Sequence, residues 1–395
     1  MKTTILNRKG VKKVLGRRLW LGKADFLTLP EVTSGELVRL TSKEGHFLAI
    51  AYFNPKSRIM ARILSFQDEE ISREFFVKRF KKNFGDRQKL YPGETCFRLV
   101  HGEGDLLPGL TVDLFESVAV VQLATAGMER LKSTIYDALK EALPLKALVF
   151  KNDLPVRKEE GLPLYVEKEG IDGPFWAKID GLYFLIDPIS GQKTGFFLDQ
   201  RENRRRFSLY VKDKLVFDLF CYSGAFSLYA ARSGAQKVLA VDRSSQALAL
   251  AEENARKNNL AGKVTFIQDE VENFLQYAPK AQAIVLDPPA LIKKERAYQA
   301  GRKLYEVLNN KALARLEDQG IFLSCSCSQF LKLHDLLSLI ERAALKSALY
   351  PQLLEIGLQA KDHPIYLSMP ETWYLKAVFL KILAFEGEDE KQRSS

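Results

Sequence analysis

The sequence predicts an α/β protein whose C-terminal half is built on a mostly parallel sheet, preceded by a small β domain and a small α+β domain. Three observations carry this. After residue 214, nearly continuous apolar runs alternate with helical patterns: LVFDLF, AFSLYAARSG, KVLAVD, SSQALALAEENARKNN, VTFIQ, AIVLD, GIFLSC. Parallel strands covered by helices on both faces read this way. From Gly35 to Leu64 the text is instead short strands broken at Lys43-Glu44-Gly45 and Pro55-Lys56-Ser57. Finally, 395 residues with 46% hydrophobic and 27% charged side chains suit a globular chain of about two to three domains.

Taken in order, residues 1–72 form the β domain, and in its last strand, RIMARIL, the period of two puts Arg58 and Arg62 on one face. Residues 73–175 form the middle domain. It begins with a helix from Glu74 to Phe84 whose Phe76, Phe80 and Phe84 make a core stripe, and continues with strands around a helix near 128–142. Residues 176–395 form the last domain, entered through a connector at 176–206 that holds a hairpin at Asp180-Gly181 and a break at Gly191–Gly195. Its later elements are long helices near 296–317 and 330–347, then LLEIGLQA and a closing antiparallel strand in TWYLKAVFLKIL.

Four cysteines without a CxxC pair exclude a disulfide scaffold and offer no zinc half-site, so no metal is expected. No run of about 18 apolar residues is present and the basic N-terminus lacks an apolar core, so a cytoplasmic chain without a membrane segment is expected. The net charge is +10, and eight Lys or Arg precede the first acidic residue, Asp25. Lys12, Lys13, Arg17 and Arg18 from this run, with Arg58 and Arg62, are candidate RNA contacts through phosphate. Further basic clusters lie at 73–89, Arg87 included, and at Arg201, Arg204, Arg205 and Arg206. Solvated helix faces are the plainer reading of any one cluster.

The first strand-to-helix turn of the last domain, FDLFCYSGAF, holds Asp218, Tyr222, Ser223 and Gly224. Gly224 alone does not make the three-glycine dinucleotide fingerprint, which disfavours a nicotinamide cofactor. Asp242, followed by Arg243, ends the next strand and can accept from both ribose hydroxyls. Asp269 ends the third strand, within reach of an adenine amino group. Each carboxylate alone could be a helix cap. Three at successive strand ends favour S-adenosylmethionine, with Asp218 facing the methionyl ammonium.

Asp287 follows the fourth strand, and Pro288 and Pro289 fix its direction. Ala290 stands where amino-directed nucleic-acid methyltransferases typically carry a base-stacking aromatic. The fifth strand runs out as Ser324-Cys325-Ser326-Cys327-Ser328. Cys325 reads as a small buried side chain. Cys327 lies further into the crevice and suits thiolate attack on C6 of a pyrimidine, which makes C5 nucleophilic. Asp287 could bind the cytosine N4 amino group. The target base must leave its stack to reach such a pocket.

These residues resemble the cytosine-5 methyltransferases of large-subunit ribosomal RNA of the RlmI type, over nearly the whole chain. The segments that carry the likeness are NPKSRI (54–59), GEGDLLPGLTVD (102–113), QKTGFFLDQREN (192–203), DLFCYSGAF (218–226), DPPA (287–290), SCS (326–328), DHP (362–364) and YLK (374–376). The resemblance implies an N-terminal PUA-type RNA-binding domain, a middle α+β domain and a class I (Rossmann-like) domain with a seven-stranded mostly parallel sheet. It implies Cys327 as nucleophile and a QKTGFFLDQR loop over the cofactor, with Phe197, Gln200 and Arg201 as lid contacts. It further implies ribosomal RNA, free or in assembly intermediates, as partner, and allows a homodimer. The competing readings are methylation of a guanine nitrogen, which needs no thiol, and a non-catalytic RNA-binding assembly factor.

Overall fold

The computed structural model describes residues 1–384, which group into two compact units. The first comprises 1–181, 186–198 and 361–372; the second comprises 182–185, 199–360 and the described residues from 373.

The first unit opens with β1 (Lys2–Ile5), α1 (Arg8–Leu15), β2 (Trp20–Leu21), β3 (Glu36–Thr41), β4 (Phe47–Phe53) and β5 (Ala61–Ser65). The sheet order is β1-β3-β4-β5-β2, with β1 parallel to β3. Asn7 caps α1 by accepting from the Gly10 amide at 3.0 Å. Ala49, Ala51 and Phe53 of β4 face one core with Val38 and Ile63, while Ile50 and Tyr52 face another with Phe76 and Leu110. Burial on both faces explains why β4 reads as an unbroken apolar run.

α2 (Arg73–Leu90) runs past the expected end at Phe84, where Arg87 carries its buried face on beyond Phe80 and Asn83. Asn83 donates to the Leu99 carbonyl (3.1 Å), and Arg87 to the Arg98 carbonyl (3.0 Å) and the Asp105 carboxylate (2.5 Å). Arg87 therefore leaves the exposed basic cluster expected at 73–89. Then come β6 (Cys96–His101), β7 (Leu110–Phe115), β8 (Val118–Leu123), α3 (Ala126–Arg130), α4 (Lys132–Ala142), β9 (Ala147–Asn152), α5 (Val156–Glu159) and β10 (Tyr165–Glu169). Their order is β10-β9-β8-β7-β6, and the α3–α4 crossover makes β8 and β9 parallel. The helix expected near 128–142 is interrupted at Leu131.

β11 (Phe175–Ile179) and β12 (Leu182–Ile186) form the expected hairpin. Its turn residues Asp180 (φ 51°) and Gly181 (φ 80°) are both left-handed, as a two-residue turn between twisted strands demands.

After α6 (Arg201–Phe207), the second unit alternates β13 (Leu215–Leu219), α7 (Ala225–Arg232), β14 (Lys237–Asp242), α8 (Ser245–Lys257), β15 (Val264–Gln268), α9 (Val271–Tyr277), β16 (Ala281–Leu286), α10 (Tyr298–Leu313), β17 (Leu316–Ser326), α11 (Leu333–Lys346), β18 (Leu349–Leu358) and β19 (Lys376–Ala384). The seven strands lie in the order β15-β14-β13-β16-β17-β19-β18. The first five are parallel, and β19 is antiparallel to both neighbours. α10 stops at Leu313 rather than near 317, and β17 starts earlier than GIFLSC. The chain steps outward from β13 to β15, then returns to β16 on the other side of β13. The loops after β13 and β16 diverge there, opening a crevice at the C-terminal ends of the strands.

Candidate functional site

Asp218, near the end of β13, is buried, and its Oδ2 accepts from both the amide (2.9 Å) and the hydroxyl (2.6 Å) of Ser227 in α7. Burial pushes its carboxyl up to about 6, against the pull of those two hydrogen bonds. The loop that follows is fixed from three sides. Phe220 and Cys221 amides both donate to the Val241 carbonyl (3.0 Å), the Tyr222 amide donates to Asp242 Oδ2 (3.0 Å), and Asn254 donates to the Ser223 carbonyl (3.0 Å). Gly224 sits at φ 73°, where a Cβ would come within 3.0 Å of Ala251, so only glycine turns the chain into α7 there.

Asp242 also accepts from the Ser244 amide at 2.9 Å through Oδ1. Each of its oxygens thus takes one backbone donor and keeps a second lone pair for a hydroxyl. Asp269 comes next after β15, where its Oδ2 accepts from the Tyr277 hydroxyl (2.8 Å). Arg243 is exposed and 3.9 Å from Glu270. The donor set fits S-adenosylmethionine: a buried acid, a carboxylate with lone pairs left for a ribose, and a tight backbone turn opening a helix.

On the other side of the crevice, Asp287 Oδ2 accepts from Gln200 Nε2 (2.9 Å), and Gln200 Oε1 accepts from Asn203 (2.6 Å), which also donates to the Leu358 carbonyl (3.0 Å). Gln200 is buried and spends its amide orienting Asp287, rather than displaying it as a lid contact. Asn203 escaped the sequence reading although it lies in QKTGFFLDQREN. Arg201 and Arg204 are buried, which removes them from the exposed basic surface. Phe197 belongs to the first unit, where its ring lies 4.0 Å from Lys193 Nζ. Pro288 is buried behind Asp287.

The serines at the end of β17 are held by α10. Ser324 donates to Asn309 (2.7 Å), Ser326 to the Tyr305 hydroxyl (3.0 Å), and Ser328 lies 2.9 Å from that hydroxyl. Strand alternation turns Cys325 the other way, where it is fully buried. Burial, then Asp287, push its thiol well above the ordinary range, so it is inert. Cys327 lies one residue beyond the strand and is half-buried. Near it stands Lys376, the first residue of β19, whose ammonium donates to the carbonyls of Ser328 (2.6 Å) and Tyr374 (2.9 Å). Sequence reasoning quoted Lys376 only within YLK; the available signal was a charge heading an apolar strand.

In the first unit, Lys12, Arg17 and Arg58 are exposed. Lys13 is paired with Asp25 (2.6 Å) and Arg18 with Glu371 (2.7 Å). The expected stripe of Arg58 and Arg62 is not displayed: β5 begins only at Ala61, and Arg62 is buried against Glu160 (3.0 Å). Glu160 also accepts from Asn54 (2.9 Å) and Ser57 (2.7 Å), so NPKSRI is organised around this carboxylate. Arg98 forks onto Asp113 with two 2.7 Å bonds, Thr194 donates to the same carboxylate (2.5 Å), and the Arg98 amide donates to Asp362 (2.8 Å). Among the described residues there is no group of three or more His, Cys, Asp or Glu placed to hold a metal ion, and no helix long and apolar enough to cross a membrane.

A PUA-like domain model matches residues 5–66 and a methyltransferase domain model residues 211–371. The chain is 34% identical over 400 residues to the ribosomal RNA large subunit methyltransferase I of Tolumonas auensis, covering 97% of this chain and 100% of that one. It is 36% identical over 365 residues to the protein of that name from Pseudoalteromonas translucida, covering 88% and 91%. The fold is similar to a solved structure assigned as a methyltransferase and complexed with SAH (TM-score 0.84, 21% identity, covering 96% and 100%).

Proposed function

The chain belongs to the ribosomal RNA large subunit methyltransferase I family of S-adenosylmethionine-dependent enzymes, and we propose that it methylates C5 of a cytidine in large-subunit ribosomal RNA through a transient bond from Cys327 to C6. The observation that carries this reading is the contrast between two thiols: Cys325 is sealed and inert, while Cys327, two residues on, is half-buried at the strand end near Lys376.

When bound, S-adenosylmethionine would supply an electrophilic methyl group for C5. Asp218, Asp242 and the Tyr222–Gly224 turn would hold it, bordered by Arg243, Asp269 and Pro288, with Arg201 at its cover. The Cys327 thiolate adds to C6 and its electron pair makes C5 nucleophilic; loss of the C5 proton after methylation restores the ring double bond and expels the thiolate. Asp287, oriented by Gln200, accepts from the N4 amino group. Lys12, Arg17 and Arg58 contact RNA phosphates. In this reading residues 1–72 bind RNA, 73–175 form the middle domain, and the methyltransferase domain lies within 176–384 apart from 176–181, 186–198 and 361–372, which group with the first unit. The protein works in the cytoplasm, on ribosomal RNA free or in assembly intermediates.

The test is incubation with labelled S-adenosylmethionine and unmodified large-subunit ribosomal RNA, followed by nucleoside mass spectrometry, with Cys327→Ala alongside. Labelled 5-methylcytidine from the wild type alone is expected. Label in a purine, or undiminished label from the variant, overturns the thiol mechanism and favours a guanine-directed enzyme. RNA binding with no label in any nucleoside favours an assembly factor.

A further inference from the structure

Resting on the reading of Cys327 as the attacking thiol, we propose that Lys376 is the positioning residue that keeps this thiol as a thiolate, its fixed ammonium acting as the counter-charge. β19 pairs with β17 so that Lys376 lies opposite Ser326, the residue before Cys327. Its side chain then reaches the carbonyl of Ser328, the residue after Cys327, and that of Tyr374. The ammonium is thereby tied to the peptide segment that carries the thiol. Two of its three protons have carbonyl acceptors, and no carboxylate is paired with it among the described residues.

A buried ammonium without an anion is costly. Burial pulls Lys376 down to about 8, and Cys327 is the neighbour that works in the opposite direction, favouring the charged amine. The interaction is mutual: the ammonium favours the thiolate as the thiolate favours the ammonium. Other groups around this pair include Tyr305 from α10, which burial keeps neutral up to about 12, Cys325 from β17, and Lys332 before α11, which opposes the charge on Lys376. Asp287 acts on Cys325 rather than on the ammonium. The Cys327 proton leaves to solvent, Lys376 stays protonated, and nothing is oxidised or reduced. When the thiolate adds to C6, the negative charge moves away into the ring; when it is expelled, it returns to a site where its counter-charge is waiting.

Cys96, Cys221 and Cys325 are buried, so alkylation of the folded protein by iodoacetamide reads Cys327. In Lys376→Met, alkylation at pH 7 should fall by about tenfold and its pH midpoint rise by about one unit. Linkage requires the reciprocal. In Cys327→Ala, the Lys376 ammonium, followed by nitrogen-15 NMR of labelled lysine, should titrate lower by the same amount. An unmoved alkylation midpoint in folded Lys376→Met, or an unmoved lysine titration in Cys327→Ala, overturns the proposal and leaves Lys376 a strand-to-loop clasp. Neither readout uses RNA. The ion pair can therefore stand if 5-methylcytidine is never formed, and fall if it is.

Discussion

Arg62 and Lys376 are both buried cations, yet they end in opposite electrostatic states. Burial works against the charge on Arg62, but Tyr52 and Glu160 outweigh it and hold the guanidinium above its ordinary value. Glu160 in turn is kept below its usual value: burial would raise it, but Arg62, Ser57 and Asn54 prevail. Among the described residues Lys376 has no carboxylate partner, its ammonium donating to two backbone carbonyls near a thiol, and burial brings it down to about 8. Equal burial therefore does not imply equal roles. A cation given a carboxylate is locked as a fastener, whereas one denied a carboxylate titrates near neutrality and can respond to a neighbouring sulfur.

The comparison can be broken most severely at the fastener. Glu160→Ala strands the Arg62 guanidinium in the interior and should destabilise the protein by about 3 to 5 kcal/mol in chemical denaturation. A loss under about 1 kcal/mol would mean that Arg62 needs no carboxylate and the contrast has no content.

The next effect sharpens it with an anion. Asp218 is raised to about 6 in the folded state by burial, above its ordinary 3.8, so the folded protein binds the proton more tightly than the unfolded chain. Stability from this group is therefore fully present below about pH 4 and lost as pH rises through 6, a change of roughly 2 to 3 kcal/mol. Asp218→Asn keeps an oxygen acceptor for Ser227 and should flatten that slope between pH 4 and 6. An unaltered slope would show that Asp218 does not titrate there.

The smallest effect concerns exposed cations. Replacing Lys12, Arg17 or Arg58 by alanine should weaken RNA binding almost independently of sequence and lower the salt-dependence slope by about one each. In folded Arg62→Ala the slope should not move, because that charge never reaches the surface; a fall of the same size would return Arg62 to the RNA contacts.

The alternating elements of the second unit were legible because its central strands, β13 and β16, are buried on both faces and so are written as apolar runs. The Asp180-Gly181 turn was legible from local chemistry alone, and so was the difference between Cys325 and Cys327, which share a face by the period of two and are separated by the strand end at Ser326. What stayed hidden depends on partners far along the chain. Nothing near Arg62 announces Glu160, nothing near Cys327 announces Lys376, and Gln200 finds Asp287 across a comparable gap. Counting lysines and arginines measures supply; only the fold shows how much of it is consumed inside, as Arg62, Arg87, Arg201 and Arg204 are. Arg58 illustrates a related failure, because a period of two was extended beyond the point where the strand starts.

The residues at 361–372 belong to the first unit although they fall near the end of the chain, and Met369 lies fully buried in the core of the first sheet, where its sulfur meets the Leu19 amide at 3.4 Å. The two units are therefore interleaved along the gene rather than strung like beads. No single cut yields either one intact, and the last buried side chain of the N-terminal core to leave a ribosome, Met369, is made after most of the second unit.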